Sequence, residues 1–265
     1  MHDGLLVVDK PAGWTSHDVV AKLRGVFGQR RIGHAGTLDP DATGVLLVGL
    51  GRATRLLRFL QDAGKAYRGR VVFGIATSTL DASGDIVEQE PMPLERPQVE
   101  AATFAFLGDI EQLPPMVSAV KVGGRRLHQL AREGVDVERA PRRVHVDRFT
   151  VEEFEPGAYP SATVFVECGS GTYVRSLAAD LGAALGGCAH LAELRRLRVG
   201  SFTLDEARPL DVIVEAPDGV VFPAGALADP GDAPGPFALV ERASQDVVAV
   251  YERRGAAYKP TVVLR

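Results

Sequence analysis

The sequence contains no asparagine, two cysteines, five lysines, and no apolar run of the roughly 20 residues that a membrane span requires. A spanning helix is therefore excluded. The stretch Met1-His2-Asp3-Gly4 carries no basic region, and the apolar run Leu5 to Val8 is too short for a secretory signal, so the chain is expected in the cytoplasm. Cys168 and Cys188 have no partners at metal-ligand spacing. They read as reduced structural thiols, and no metal site is expected. Against five lysines stand 25 arginines, a bias so uniform that it reflects coding composition and carries no functional weight.

What is present is enough for a sizeable core: 265 residues, 46% hydrophobic and 24% charged, allow one large domain with a smaller one. A net charge of −4 argues mildly against a phosphate-binding partner, but it averages two unlike regions. Residues 121 to 143 carry a net +4, from Lys121, Arg125, Arg126, Arg132, Arg139, Arg142 and Arg143, whereas residues 205 to 246 carry a net −7. A basic lobe beside an acidic tail is compatible with one face that binds RNA, and equally with ordinary solvated surface.

Hydrophobic periodicity outlines the elements. Gly4 to Asp9 reads as a buried strand ending at Lys10-Pro11. A helix follows, with Ser16 as N-cap, Val19, Val20, Leu23, Val26 and Phe27 on one face, and Gly28 as its stop. Residues 33 to 44 read as a polar loop, Val45 to Leu50 as a buried strand, and Leu56, Leu57 and Leu60 as a short helix. Tyr67, Gly69, Val71 and Phe73 alternate as in a half-buried strand. The segment 81 to 97, rich in Asp, Glu and Pro, reads as a surface excursion before a helix around 98 to 107. Met116 to Val122 reads as a strand, and Gly123-Gly124 as a turn into a helix carrying Leu127, Leu130 and Ala131. Val144 and Val146, then Ala162 to Cys168, mark further strands, and Leu177, Leu181 and Leu185 mark a last helix. This order, without regular βαβ spacing, predicts an α+β fold with a mixed, largely antiparallel central sheet. A stretch dense in Pro and Gly at 214 to 236 precedes short Val-rich runs, predicting a catalytic domain over 1–210 and a small β module over 211–265.

The loop Gly33-His34-Ala35-Gly36-Thr37-Leu38-Asp39-Pro40 is the most informative segment. Its glycines permit positive φ, and Pro40 keeps Asp39 out of helical geometry. On these residues alone, a plain turn with Asp39 or Asp41 capping the backbone is the simpler reading. The longer stretch GHAGTLDPDATGVLLVGLGRATR, however, resembles the signature of the TruB family, synthases that convert uridine to pseudouridine in the T loop of tRNA. Five more blocks resemble that family in order. They are Lys10-Pro11-Ala12-Gly13 with Thr15-Ser16; Lys65-Ala66-Tyr67; Leu113-Pro114-Pro115 through Ser118-Ala119-Val120-Lys121 to Gly124-Arg125; Gly171-Thr172-Tyr173-Val174-Arg175-Ser176; and Ala189-His190-Leu191 to Leu194-Arg195-Arg196.

The resemblance implies a pseudouridine-synthase fold with a PUA-like terminal module, tRNA as partner through its T arm, reaction at uridine 55, and no cofactor. It implies no protein partner, and a monomer. Asp39 would be the catalytic carboxylate, and Arg175 the cation that keeps it ionised. Tyr67 would stack on a flipped base, His34 would occupy the space of the displaced nucleotide, Tyr173 and Leu191 would line the pocket, and Lys10 would support the loop. Lys121, Arg125, Arg126, Arg132, Arg142 and Arg143 would form a clamp on the T arm. Alternatives are a tRNA-folding chaperone with a minor catalytic role, and a guide-RNA-dependent relative. The second lacks here the long basic extensions expected of it.

Overall fold

The structure, a computed structural model, describes residues 2–118, 121–122, 124–126, 133, 135 and 137–217, and beyond them the backbone of strands at 222–223, 237–240, 247–254 and 257–263. The chain divides into two units, Met1–Ala63 with Leu197–Arg265, and Gly64–Arg196.

In the first unit, strand β1 (Gly4–Lys10) pairs antiparallel with β3 (Thr43–Leu50) along its whole length, from Gly4↔Leu50 to Lys10↔Gly44. Strand β2 (Ile32–Ala35) also pairs antiparallel with β3, Gly33 lying opposite Gly49. Both β1 and β3 are continuous apolar runs because both their faces are covered. Leu5, Val7, Val45 and Leu47 join Ala35, Leu57, Val199, Phe202 and Ala207 in one cluster, while the alternate residues Leu6, Val8, Leu46 and Val48 are buried on the other face. Helix α2 (Leu57–Gln61) lies against β2 and β3 at the glycine pair, where a Cβ on Gly33 or Gly49 would come within 3.3 and 3.1 Å of Leu57.

Two expectations need correction here. Residues Gly33 to Ala35 belong to β2 rather than to the loop, their backbone groups being taken up by the ladder with β3. Helix α1 (Ser16–Val26) is capped by Thr15, not by Ser16. The Thr15 hydroxyl accepts from the Asp18 N–H at 3.0 Å, and the Asp18 carboxylate accepts from the Thr15 N–H at 2.9 Å, a reciprocal capping box. The Ser16 hydroxyl is engaged elsewhere.

The second unit opens with β4 (Lys65–Phe73). Its alternation holds, with Tyr67, Gly69, Val71 and Phe73 buried and Arg68 exposed. The hairpin β5 (Ile75–Thr77) and β6 (Ile86–Gln89) follows, β6 being exposed throughout, as the acidic excursion implied. Helix α3 (Arg96–Thr103) leads to β7 (Gly108–Gln112). The strand expected over Met116–Val122 is not formed at residues 116–118. There the Ser118 N–H closes on the Met116 carbonyl at 3.1 Å, and the Val117 carbonyl accepts from Arg175, so neither is offered to a ladder. Among the described residues of that segment, Lys121–Val122 (β8) pairs, with Arg125–Arg126 (β9). The helix expected around Leu127 to Ala131 lies outside the described residues.

Strands β10 (Arg142–Glu155) and β11 (Ser161–Cys168) complete an antiparallel run β4-β11-β10-β7. Helix α4 (Val174–Ala184) packs on β4 and α3, and β12 (Ala189–Val199) flanks β4. The first unit then resumes with β13 (Phe202–Thr203), β14 (Arg208–Pro209), which pairs parallel with β1, and helix α5 (Leu210–Glu215). Strand β15 (Phe222–Pro223) returns to β1, and β16 (Phe237–Val240), β17 (Val247–Arg254) and β18 (Ala257–Val263) form a three-stranded antiparallel sheet. The fold is thus α+β, with mixed and largely antiparallel pairing.

Cys168 closes β11 fully buried, and burial pushes its thiol up to about 11. Alkylation at pH 8 is therefore expected to modify Cys188 while sparing Cys168 until the protein is denatured. Mass mapping of labelled peptides checks this.

Candidate active site

The loop bearing Asp39 is fastened on both sides of that residue from within the first unit. The Lys10 ammonium, wholly buried at the end of β1, donates to the carbonyls of Pro11 (2.8 Å), Trp14 (2.6 Å) and Pro40 (2.8 Å). The Gly13 N–H adds a second bond to the Pro40 carbonyl at 3.0 Å. Gly13 makes this turn with φ +78°, a conformation that L side chains rarely adopt. On the other side the buried Ser16 hydroxyl accepts from the Leu38 N–H (2.9 Å) and donates to the Leu38 carbonyl (3.2 Å). The Ala42 N–H closes a turn onto the Asp39 carbonyl at 3.2 Å. Leu38 anchors its side chain in the core at 3% exposure, while Asp39 itself is half-buried. Main-chain groups at 38 and 40 are therefore fixed to β1, its turn and the start of α1. A carboxylate held this way needs little reordering to react.

His34, half-buried on β2, meets the ring of the exposed His17 edge to face, centroids 5.2 Å apart. His17 stands in the first turn of α1 and was not singled out by the sequence. It becomes visible only when α1 and β2 are brought together.

In the second unit, Arg175 occupies the first turn of α4 and is 4% exposed. Its guanidinium donates to the carbonyls of Thr79 (3.0 Å) and Val117 (2.8 Å) and lies 3.3 Å from the Asp81 carboxylate. A positive charge in a helix's first turn opposes the helix dipole, so its retention there, buried, points to a role beyond helix stability. Asp81 was lost in the acidic excursion read from sequence. The signal that could have found it is the run Thr77-Ser78-Thr79-Leu80-Asp81 with Ser83-Gly84, small hydroxyl residues spaced around one acid.

The turn into α4 is stitched to the end of β7. Gln112, 2% exposed, donates to the Tyr173 carbonyl (3.0 Å) and accepts from its N–H (2.7 Å), so one side-chain amide imitates a strand partner. The Ser176 hydroxyl donates to the Leu113 carbonyl at 3.0 Å. Tyr67 on β4 is buried at 7% exposure, opposite Val166 of β11. Leu191 on β12 is 2% exposed. Its N–H donates to the Leu80 carbonyl (3.0 Å), and Asp81 forms a parallel bridge with it. Arg175 and Leu191, distant in sequence, thus converge on Thr79–Asp81.

The basic segment is described in part. Arg125 is exposed and ion-paired with Glu133. Arg142 and Arg143 are exposed at the start of β10, Arg143 donating to Asp109 at 2.8 Å. Beside them His145 bonds the other Asp109 oxygen at 2.8 Å, which raises the imidazole above its ordinary range. Arg132 and the side chains of Lys121 and Arg126 lie outside the described residues.

Comparison with known proteins places the fold in one class. A solved Cbf5–Nop10–Gar1 complex is similar with a TM-score of 0.73 at 27% identity, covering 99% of this chain and 85% of that one. An archaeal box H/ACA sRNP Nop10–Cbf5 complex is similar with a TM-score of 0.65 at 25% identity, covering 99% and 86%. A family model for the TruB family pseudouridylate synthase N-terminal domain matches residues 24–174, and one for the tRNA pseudouridylate synthase B C-terminal domain matches residues 175–216. The chain is therefore an isomerase of the pseudouridine synthase class.

Among sequence relatives, a tRNA pseudouridine synthase B of Mycobacterium sp. (strain KMS) is 51% identical over 216 residues, 81% of this chain and 73% of its own. One of Nocardia farcinica is 45% identical over 286 aligned residues, 99% of this chain and 93% of its own. The chain belongs to the TruB family of pseudouridylate synthases.

Proposed function

We propose that this enzyme acts on tRNA in the cytoplasm, converting uridine 55 of the T loop to pseudouridine with Asp39 as the reacting carboxylate. The observation that carries this reading is the fastening of residues 38 and 40 by Ser16, Lys10 and Gly13, which holds the Asp39 backbone in place. The reaction breaks the N1–C1′ bond, turns the base and rejoins it through C5, releasing the C5 proton to solvent. Atoms and electrons balance within the nucleotide, so the reaction needs no redox cofactor or energy source. It does need a carboxylate that is ionised and correctly aimed.

In this reading Arg175 keeps the Asp39 carboxylate charged against the pull of desolvation and RNA phosphates. A stacked uridine must leave its loop before it can react. Tyr67 stacks on the extruded base, His34 occupies the vacated space, and Tyr173 and Leu191 line the pocket. Lys121, Arg125, Arg126, Arg132, Arg142 and Arg143 grip the T arm. Residues 211–265 act as a separate PUA-like module.

The grip predicts a salt signature. Replacing Arg126 and Arg143 with glutamate is expected to weaken tRNA binding and to flatten the slope of log K against log salt by roughly 0.7 to 0.9 per lost phosphate contact. The Arg143–Asp109 pair is exposed, so its loss should move stability little. Filter binding across a salt series checks this, and an unchanged slope would remove these arginines from the clamp.

A further inference from the structure

Tyr173 is the last residue before α4. The helix is fixed by its buried residues Val174, Ser176, Leu177 and Leu181, but Tyr173 stands outside helical geometry at φ −100° and ψ 108°. Its side chain is half-buried and makes no cap bond of its own. The chain enters it through Gly171 at φ +83°, a residue type with little conformational preference. Neither the helix core nor the preceding turn therefore sets the direction of its ring.

The Gln112 amide does. It donates to the Tyr173 carbonyl at 3.0 Å and accepts from the Tyr173 N–H at 2.7 Å, across 61 positions of sequence. The same carbonyl also accepts from the Leu177 N–H at 3.1 Å, the bond that opens the helix. Two bonds from one planar amide fix orientation as well as distance, and so aim the Cα–Cβ bond of Tyr173. Gln112 is itself anchored. It is 2% exposed, its backbone pairs with Arg142 of β10, and the next carbonyl, that of Leu113, accepts from the Ser176 hydroxyl at 3.0 Å. An apolar residue would fill this space without the cost of burying an amide, so both polar ends spent on one residue point to a task beyond packing.

We propose that Gln112 is a positioning residue for isomerisation: its amide places the Tyr173 ring against the extruded uridine, and so governs the rate in the bound complex rather than tRNA affinity. This rests on the reading of Tyr173 as a pocket residue. A ring displaced by about 1 Å leaves the rest of the RNA-binding surface unchanged, yet can cost about a hundredfold in rate.

The test is single-turnover pseudouridine formation at saturating tRNA, with tRNA Kd and thermal unfolding measured in parallel, at a temperature where each variant is folded. Gln112→Glu supplies a readout that packing alone would not move. A carboxylic acid, like an amide, donates through one oxygen and accepts through the other, whereas a carboxylate only accepts and would face the Tyr173 carbonyl. Burial and that carbonyl raise its pKa, so the acid form is present at low pH and lost as pH rises. Relative to wild type at the same pH, Gln112→Glu should stay within about threefold near about pH 5.5 and fall about thirtyfold behind by about pH 8.5. Gln112→Met should lag about thirtyfold throughout, with tRNA Kd within about twofold of wild type in both. In a Tyr173→Ala background, Gln112→Met should cost less than about threefold, because a residue acting through that ring has little further to lose. If Gln112→Met does not fold, the glutamate series still decides.

A Gln112→Glu ratio that does not change with pH, equal losses from Gln112→Met with and without the Tyr173 ring, or a loss carried wholly by tRNA Kd or unfolding would overturn the proposal. Failure of the underlying reading would look different. Tyr173→Ala would itself react at the wild-type rate, removing Tyr173 from the pocket and the proposal with it.

Discussion

Asp39→Asn is expected to abolish pseudouridine formation, with a rate loss on the order of a thousandfold or more, while tRNA affinity and thermal stability stay at wild-type values. The loop is held by main-chain bonds at residues 38, 40 and 42 and by the buried Leu38, and the turn bond accepted by the residue-39 carbonyl is kept in asparagine. The variant removes the charge and nucleophilicity of the carboxylate while keeping its size and these main-chain bonds. Asp39→Ala should behave alike. Either variant separates the enzyme from the tRNA-folding chaperone, since a chaperone would lose nothing that a rate measures. Tritium release from tRNA carrying 5-tritiated uridine gives the rate, and filter binding the affinity.

Lys10→Met should show the opposite pattern, losing stability and rate together. Methionine fills similar space, but the three carbonyls of Pro11, Trp14 and Pro40 lose a buried charged donor, and of these Pro40 keeps its bond from Gly13. Removing the desolvated ammonium returns part of the cost, so a net destabilisation of roughly 2–4 kcal/mol is expected. For a chain of this size that lowers the melting temperature by about 5–15 °C. The same change frees the Pro40 side of the Asp39 loop, and a misplacement near 1 Å can cost about a hundredfold in rate. Lys10→Arg is no substitute, because a planar fork cannot direct three bonds from one fully buried point. Calorimetry and single-turnover rates on the same preparations check both halves. A Lys10→Met enzyme that melts early but reacts at the wild-type rate would show that the loop does not need its anchor.

The parts of this molecule legible in its sequence are those where one pattern dominates. The apolar run Val45 to Leu50 could only be a fully covered strand, and the alternation from Tyr67 to Phe73 only a half-buried one. Asp39 stood out through a long match of motifs, because the loop's glycines and proline are unreadable without it. Elsewhere local chemistry pointed the wrong way. Ser16 has the composition of an N-cap, yet its hydroxyl is used 22 residues away at Leu38, and Thr15 caps instead. Gly33 looks like a loop former, but it lies in a strand opposite Gly49 so that Leu57 can approach both.

Strand β12 gave no periodic signal because its buried residues include His190 and Arg196 beside Ala189 and Leu191. Asp81 was hidden for a similar reason. Its partner is 94 positions away, and what marks it is three hydroxyls and a strained leucine, none apolar or periodic. Long-range polar pairings of this kind are set by tertiary geometry, which hydrophobic patterning does not encode.

Tritium release by the wild-type enzyme from two tRNAs labelled at every uridine C5, one with uridine at position 55 and one with cytidine there, decides the matter. One tritium per molecule should be released from the first and none from the second, and Asp39→Asn should release none from either. Equal release from both tRNAs, or release that survives the loss of the Asp39 carboxylate, would contradict the assignment of this residue and of its target.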